Sequence, residues 1–261
     1  MMWEHLSGRK RMLYRRFKKS IALVIFLILW ELLPASGIIS KTFLSPPSEV
    51  FQALVRLIES GELWVHMDIS LKRAFAGFAL AVITMIPLGF LMGWYKGFEE
   101  ISDGLVQAMR QVSSLSLFPV FLLFFGIGEV SKIAVIFWGS QWPLLLNTIN
   151  GVKTVDPLLI KSARSMGSND LSIFRKVVLP SSLPSLFVGL RLSATHSILV
   201  LVAAEMIGAT SGLGYSIKNW EFSFMIPEMY AAIVVLAVLG LITNYSLVWI
   251  EKKVIKWKEE I

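Results

Sequence analysis

Among the hydrogen-bonding or ionisable side chains inside long apolar stretches of this sequence, four are candidates for a functional path: Ser116, Gln141, His196 and Glu205. A charge at the centre of a membrane helix costs about 2.5–3.5 kcal/mol on insertion scales, so such groups mark functional positions by default. His196 falls near the midpoint of its apolar run, whereas Arg191 and Glu205 fall toward opposite ends of it, within reach of the interfaces. The four are read as groups lining a polar path through the membrane. His196 also fits a neutral imidazole hydrogen-bonded within a bundle. Gln141 must face protein or water, because lipid exposure of an amide is costly.

Other chemistry is excluded by what the chain lacks. Its histidines are His5, His66 and His196, too scattered for a metal site, and it has no H-E-x-x-H. It has no cysteine, hence no thiol nucleophile, thiolate metal site or disulfide. Gly208-Ala209-Thr210-Ser211-Gly212 lacks the spacing of a serine nucleophile elbow and reads as a glycine-rich turn. No G-x-x-x-x-G-K-[ST] run is present, so the chain has no phosphate-cradling loop and no ATPase of its own is expected. No cofactor is implied.

The elements that must position these groups are hydrophobic. The 261 residues are 55% hydrophobic with mean hydropathy +0.68, and 16% are charged, against roughly a quarter in soluble domains. The pattern predicts an all-α polytopic membrane bundle of about six transmembrane helices: 21–39, 74–94, 105–125, 130–149, 186–206 and 229–250. The third is the most polar, with Arg110, Gln111, Ser113, Ser114 and Ser116 in its first half; there the arginine can snorkel and the serines allow close helix approach. The first follows seven basic residues between Arg9 and Lys19 and reads as a retained anchor rather than a cleaved signal. Domain boundaries are placed at 1–44 (basic segment and first span), 45–250 (bundle) and 251–261 (basic tail).

Between the fourth and fifth spans lies a polar island, 152–182. Asp156 and Pro157 suit an N-cap and first helical position, and Leu159, Ala163 and Met166 share a face opposite Lys161, Ser162 and Arg164. Gly167 closes that helix; Ser168, Asn169 and Asp170 begin another, which Pro180 ends. Taken alone, the island fits either an amphipathic segment resting on lipid or an apolar ridge seated in a partner's groove. With both termini, the 96–103 turn and the island inside, 17 basic residues lie in the cytoplasm and six outside, which fixes the orientation and accounts for the net charge of +7 without a nucleic-acid partner.

Lys161-Ser162-Ala163-x-x-x-Gly167, followed after nine residues by Val177-x-Leu179-Pro180, resembles the EAA signature of ABC importer permease subunits. Ala163, Gly167, Leu179 and Pro180 match that pattern, valine stands for isoleucine, and Lys161 and Ser162 stand where it has Glu and Ala. The run from Ala204 to Tyr215, with Ser48 to Val50, Ser70 to Gly77 and Phe125 to Gly128, is similar to the branch serving nitrate, sulfonate, taurine and bicarbonate importers. The resemblance implies a type I-like permease that takes a small anionic solute from an extracytoplasmic solute-binding protein. It also implies a second permease copy, usually identical, and separate ATP-binding subunits in the cytoplasm. The coupling residues it implies are Leu158, Leu159, Lys161, Ser162, Ala163, Met166, Gly167, Leu179 and Pro180, with the first helix acting as a lever that transmits closure of the ATPase to the bundle. Ala163 and Gly167 would permit close packing on the ATPase. Two alternatives remain: a secondary transporter or channel with the island as a lipid-surface loop, and an intramembrane enzyme using His196 or Ser211.

Overall fold

A computed structural model describes residues 8–37, 39–40 and 42–255, with the side chains of 8–20 and 23 outside the description. His5, Lys256, Lys258 and the basic side chains from Arg9 to Lys19 therefore lie outside the described residues. Every regular element among those described is helical. Two compact units form, one from the described residues up to Glu62 with Ile217–Ile233, the other from Leu63–Ser216 with the described residues from Val234 onward.

In the first unit, α1 (Gly8–Ala35) and α2 (Pro47–Glu59) are joined by the acid that interrupts the first apolar run. Glu31 accepts the Ser48 N–H at 3.1 Å and its hydroxyl at 2.7 Å, serving as the cap that Pro46 cannot supply at the start of α2. Trp30 Nε1 donates to the Ser45 carbonyl, Tyr230 Oη to that of Phe43, and Arg56 pairs with Glu228 at 2.8 Å.

The second unit is built on three long helices: α3 (Glu62–Trp94), α6 (Glu129–Lys153) and α9 (Leu179–Gly208). Glycines let α3 approach α6. A β-carbon at Gly77 would lie 2.5 Å from Ile136 Cγ2, one at Gly89 2.6 Å from Thr148 Cβ, and one at Gly93 2.6 Å from Val152 Cβ. Small residues at such contacts replace the hydrophobic drive that lipid denies to helix association. Gly151 and Gly189 do the same between α6 and α9. Leu144 and Leu145 fill the space between, with Ala81, Met85 and Leu186.

Helices α3, Asp170–Gly208 taken as one rod, and α11 (Ile226–Val254) are each long and apolar enough to cross a membrane, with mean hydropathy 2.2, 1.8 and 2.2. α6 has the length of a crossing at 25 residues but is less apolar than these three, and the apolar part of α1 among the described residues is the shorter stretch Val24–Ala35. The expected third span is corrected: it is α4 (Lys96–Met109), a turn over 110–117 and α5 (Phe118–Phe125), not one helix. The serines and glutamine that weakened it as a span do not sustain helix there, since serine competes for the backbone hydrogen bonds.

Candidate functional site

The polar island forms a rigid elbow. Its first helix, α7 (Pro157–Ser165), starts where the Asp156 carboxylate accepts the Leu158 N–H at 2.8 Å. It stops at Gly167, whose φ of +78° is the left-handed conformation. The Ser168 N–H donates to the Ala163 carbonyl at 3.1 Å and the Gly167 N–H to that of Arg164 at 2.9 Å, the paired bonds of a Schellman cap. Asn169 then caps α8 (Asp170–Ile173) by accepting the Ser172 N–H at 2.9 Å, and Arg164 reaches across the turn to Asp170 at 3.2 Å.

Pro180 does not end the second helix, contrary to expectation. The chain passes from α8 through a π-helical turn, Phe174–Val178, directly into α9, with Pro180 in its first turn. A proline inside an α-helix clashes with the carbonyl four residues earlier. Widening the turn, with the Leu179 N–H donating to the Phe174 carbonyl five residues back, makes room for it. The elbow is thus joined without a break to a membrane rod, Asp170–Gly208.

Ala163 is 7% exposed and packs inward with Ile173, Val178, Phe90 and Val152, beside the partly buried Ile160, so it roots the elbow in its own chain. Phe174 stacks edge-on against Phe90 at 5.3 Å and Trp94 at 6.1 Å, fixing the elbow to α3. The outward residues are Leu158 (67% exposed), Leu159 (51%) and Met166 (79%), with Lys161 and Ser162 exposed beside them. Leu179 is half-buried against the root.

Of the four polar candidates for a membrane path, His196 alone lines an open cavity of about 510 Å³, with Arg110, Ser113, Ser114, Trp138 and Trp142. Gln141 is buried in α6 and faces protein, and Ser116 is exposed on the 110–117 turn; neither lines the cavity.

Glu205 belongs to a different structure. Fully buried, it accepts from Arg73 Nη1 at 2.7 Å, Ser70 Oγ at 2.8 Å and the Gly214 N–H at 2.9 Å. Arg73 also donates Nη2 to Glu129 and Nη1 to the Ser211 carbonyl, each at 2.7 Å, and Ser70 Oγ accepts the Leu213 N–H at 2.8 Å. Gly212, with φ +112°, permits the turn, since a β-carbon there would collide with the Glu205 carboxylate. This clamp ties α3, the start of α6 and the end of α9 to α10 (Leu213–Phe222). Glu129 precedes the apolar run 130–149. It is lowered to about 2, chiefly by its hydrogen bonds from Arg73 against the opposing cost of desolvation. Ser211 Oγ faces the Arg73 guanidinium, while His196 lines a cavity that Ser211 does not, so the two form no nucleophile and base.

Sequence reasoning missed the Arg73–Glu205 pair, 132 residues apart, and the cavity role of Arg110, Trp138 and Trp142. Arg110 carried a usable signal, a cation within an apolar stretch.

The described residues form a helical membrane unit with a capped elbow continuous with a long apolar rod. The chain belongs to the binding-protein-dependent transport system inner membrane component family, matched over residues 85–256. It is 36% identical to the putative aliphatic sulfonates transport permease protein SsuC of Bacillus subtilis (strain 168), over 96% of this chain and 90% of that protein. It is 30% identical to the taurine transport system permease protein TauC of Escherichia coli (strain K12), over 92% and 89%. The fold is similar to a chain of the inward-facing MetNI methionine ABC transporter, with TM-score 0.62 at 20% identity, covering 78% of this chain and 96% of that one. The chain is therefore a membrane permease subunit of an ABC importer.

Proposed function

We propose that this permease imports a small aliphatic sulfonate or similar anion delivered by an extracytoplasmic solute-binding protein, driven by ATP hydrolysis on a separate ATP-binding subunit into which α7 is seated. The observation that carries the reading is the elbow: Leu158, Leu159 and Met166 project from a short helix capped at both ends and rooted by Ala163. Three exposed apolar side chains on so rigid a support suit helix-in-groove docking. Lys161 and Ser162 flank the docked ridge, while Gly167, Leu179 and Pro180 act by shaping the elbow and its passage into α9. The names of the relatives support a sulfonate as solute.

The importer contains two copies of this chain, with both termini and the elbow in the cytoplasm, as the excess of basic loop residues there favours. The bundle segment 45–250 carries the coupling loop 152–182, flanked by the N-terminal segment 1–44 and the tail 251–261. His196 faces the solute path, together with Ser116 and Gln141 in a second state of the bundle, and Glu205 holds the wall of that path in place. Closure of the ATP-binding pair moves the elbow, and α9 passes the motion to the bundle as a rigid body.

L159D tests the docking. A carboxylate on the ridge buries an unpaired charge in the groove. The ATP-binding subunit should then no longer co-purify with a permease that still inserts normally; undiminished co-purification and uptake would refute the seat.

A further inference from the structure

We propose that the groove between α3, α9 and α11 holds one acyl chain of an anionic phospholipid whose phosphate rests on Lys253, at the C-terminal end of α11.

The groove lies among the three helices whose length and apolar character suit a membrane crossing, so it is set at the depth of the bilayer. It encloses about 280 Å³. Its floor is made of small buried residues, Ala74 from α3 with Ala194 and Ser197 from α9. Its walls are large and apolar: Phe75, 72% exposed, and Phe78 on one side, Ile242, 55% exposed, and Leu247 on the other. Two hydroxyls that line it are already committed to their own helices. Ser197 Oγ donates to the Ala194 carbonyl at 2.7 Å, and Thr243 Oγ1 to that of Leu239 at 2.8 Å. A polar ligand would lose its hydration there for few new partners, whereas a methylene chain loses nothing.

Shape alone suits any apolar occupant, and charge selects among them. Ser246 lines the groove, and Ile250 and Lys253 follow it at i+4 and i+7 on the same exposed face of α11. The Lys253 ammonium is therefore carried two turns, about 10 Å, beyond Ser246. Its Nζ lies 3.6 Å from the centroid of the Trp249 ring, a contact that uses one side of the ammonium and leaves N–H groups on the other for an oxyanion. An aromatic ring beside a lysine at the end of a spanning helix suits the headgroup level. The acid two residues before it, Glu251, is engaged by Arg191 of α9. A phospholipid meets both requirements at once: hydrocarbon for the groove, and an anion one glycerol unit away for the ammonium. A helix from a second copy or another protein would meet only the first.

The test measures lipid retained by the full-length permease assembled with its ATP-binding subunit. The complex is equilibrated with equal amounts of phosphatidylglycerol and phosphatidylcholine carrying the same acyl chains, and bound lipid is read by native mass spectrometry. The wild type should retain phosphatidylglycerol over phosphatidylcholine by about fivefold, the scale of one basic residue at an anionic membrane surface. K253Q should retain the two alike. S246W, which sets an indole into the groove from its exposed rim, should retain less of either. Both variants change exposed side chains, and co-purification of the ATP-binding subunit checks their assembly. Equal retention of the two lipids by the wild type, or an unchanged preference in K253Q, would overturn the headgroup assignment. Wild-type retention by S246W, or displacement of the lipid by glycerol 3-phosphate, which has the head without the tail, would overturn the role of the groove. A wild-type complex that retains no lipid, with S246W separating two copies of the permease, would make the groove an interface between copies and overturn the proposal as a whole.

Discussion

Replacing Gly167 separates two roles for the glycine of the elbow, a backbone requirement and a close contact with a partner. At φ +78° an L-residue pays roughly 1–2 kcal/mol for the left-handed conformation, whereas asparagine adopts it far more readily. A β-carbon at 167 would meet nothing within 4 Å in this chain, so no steric cost adds to that penalty. The penalty falls on the cap formed by the Ser168 and Gly167 N–H groups and raises its opening equilibrium roughly 5- to 30-fold. Hydrogen exchange on the amides of 163–170, in the assembled permease and ATP-binding subunit, should show that acceleration for G167A, more for G167V and little for G167N. Protection along α9 should not change. In proteoliposomes ATP hydrolysis should persist, while solute moved per ATP falls in the order G167N, G167A, G167V. If G167N is as damaging as G167V, the glycine is needed for contact rather than conformation; if G167V exchanges like the wild type, the elbow is not held by this cap. Either result refutes the reasoning.

The buried clamp and the glycine contacts give further expectations. R73M leaves Glu205 fully buried with only the Ser70 and Gly214 donors and should cost about 3–5 kcal/mol, read as loss of folded protein on heating in detergent. The double variant R73M/E205L should recover part of that loss, since removing both charges ends the imbalance; no recovery would mean the pair does not act as a unit. G89V drives a side chain into Thr148 and should destabilise by about 1–3 kcal/mol, whereas G97A, where a β-carbon meets nothing, should leave thermal unfolding unchanged.

The parts of the molecule legible in the sequence were those specified by residues close in the chain. Asp156, Gly167 and Asn169 announce the elbow because caps depend on side chains and backbone within a few positions. Pro180 was misread because the π turn that accommodates it is supported by Phe174 packing on α3, a tertiary effect. The inward packing of Ala163 was not legible because α7 has apolar residues on more than one side, and nine residues do not say which side meets the core. The clamp was illegible for a different reason: Arg73, Glu129 and Glu205 each look like a charge at a helix end, and only folding brings them to one point. The 110–117 turn sits between these cases, since its serines signalled trouble for a span without revealing that the chain leaves the helix to wall a cavity.

The most direct measurement of the central claim uses the absence of cysteine from this chain. A single L159C, on the exposed ridge of α7, is labelled with a maleimide bearing a benzophenone, which inserts into a neighbouring C–H bond on illumination, in inside-out vesicles carrying the whole importer. The account predicts an adduct with the ATP-binding subunit whose yield changes with ATP. No adduct, or labelling of L159C by an impermeant reagent added only to the extracytoplasmic side, would contradict it.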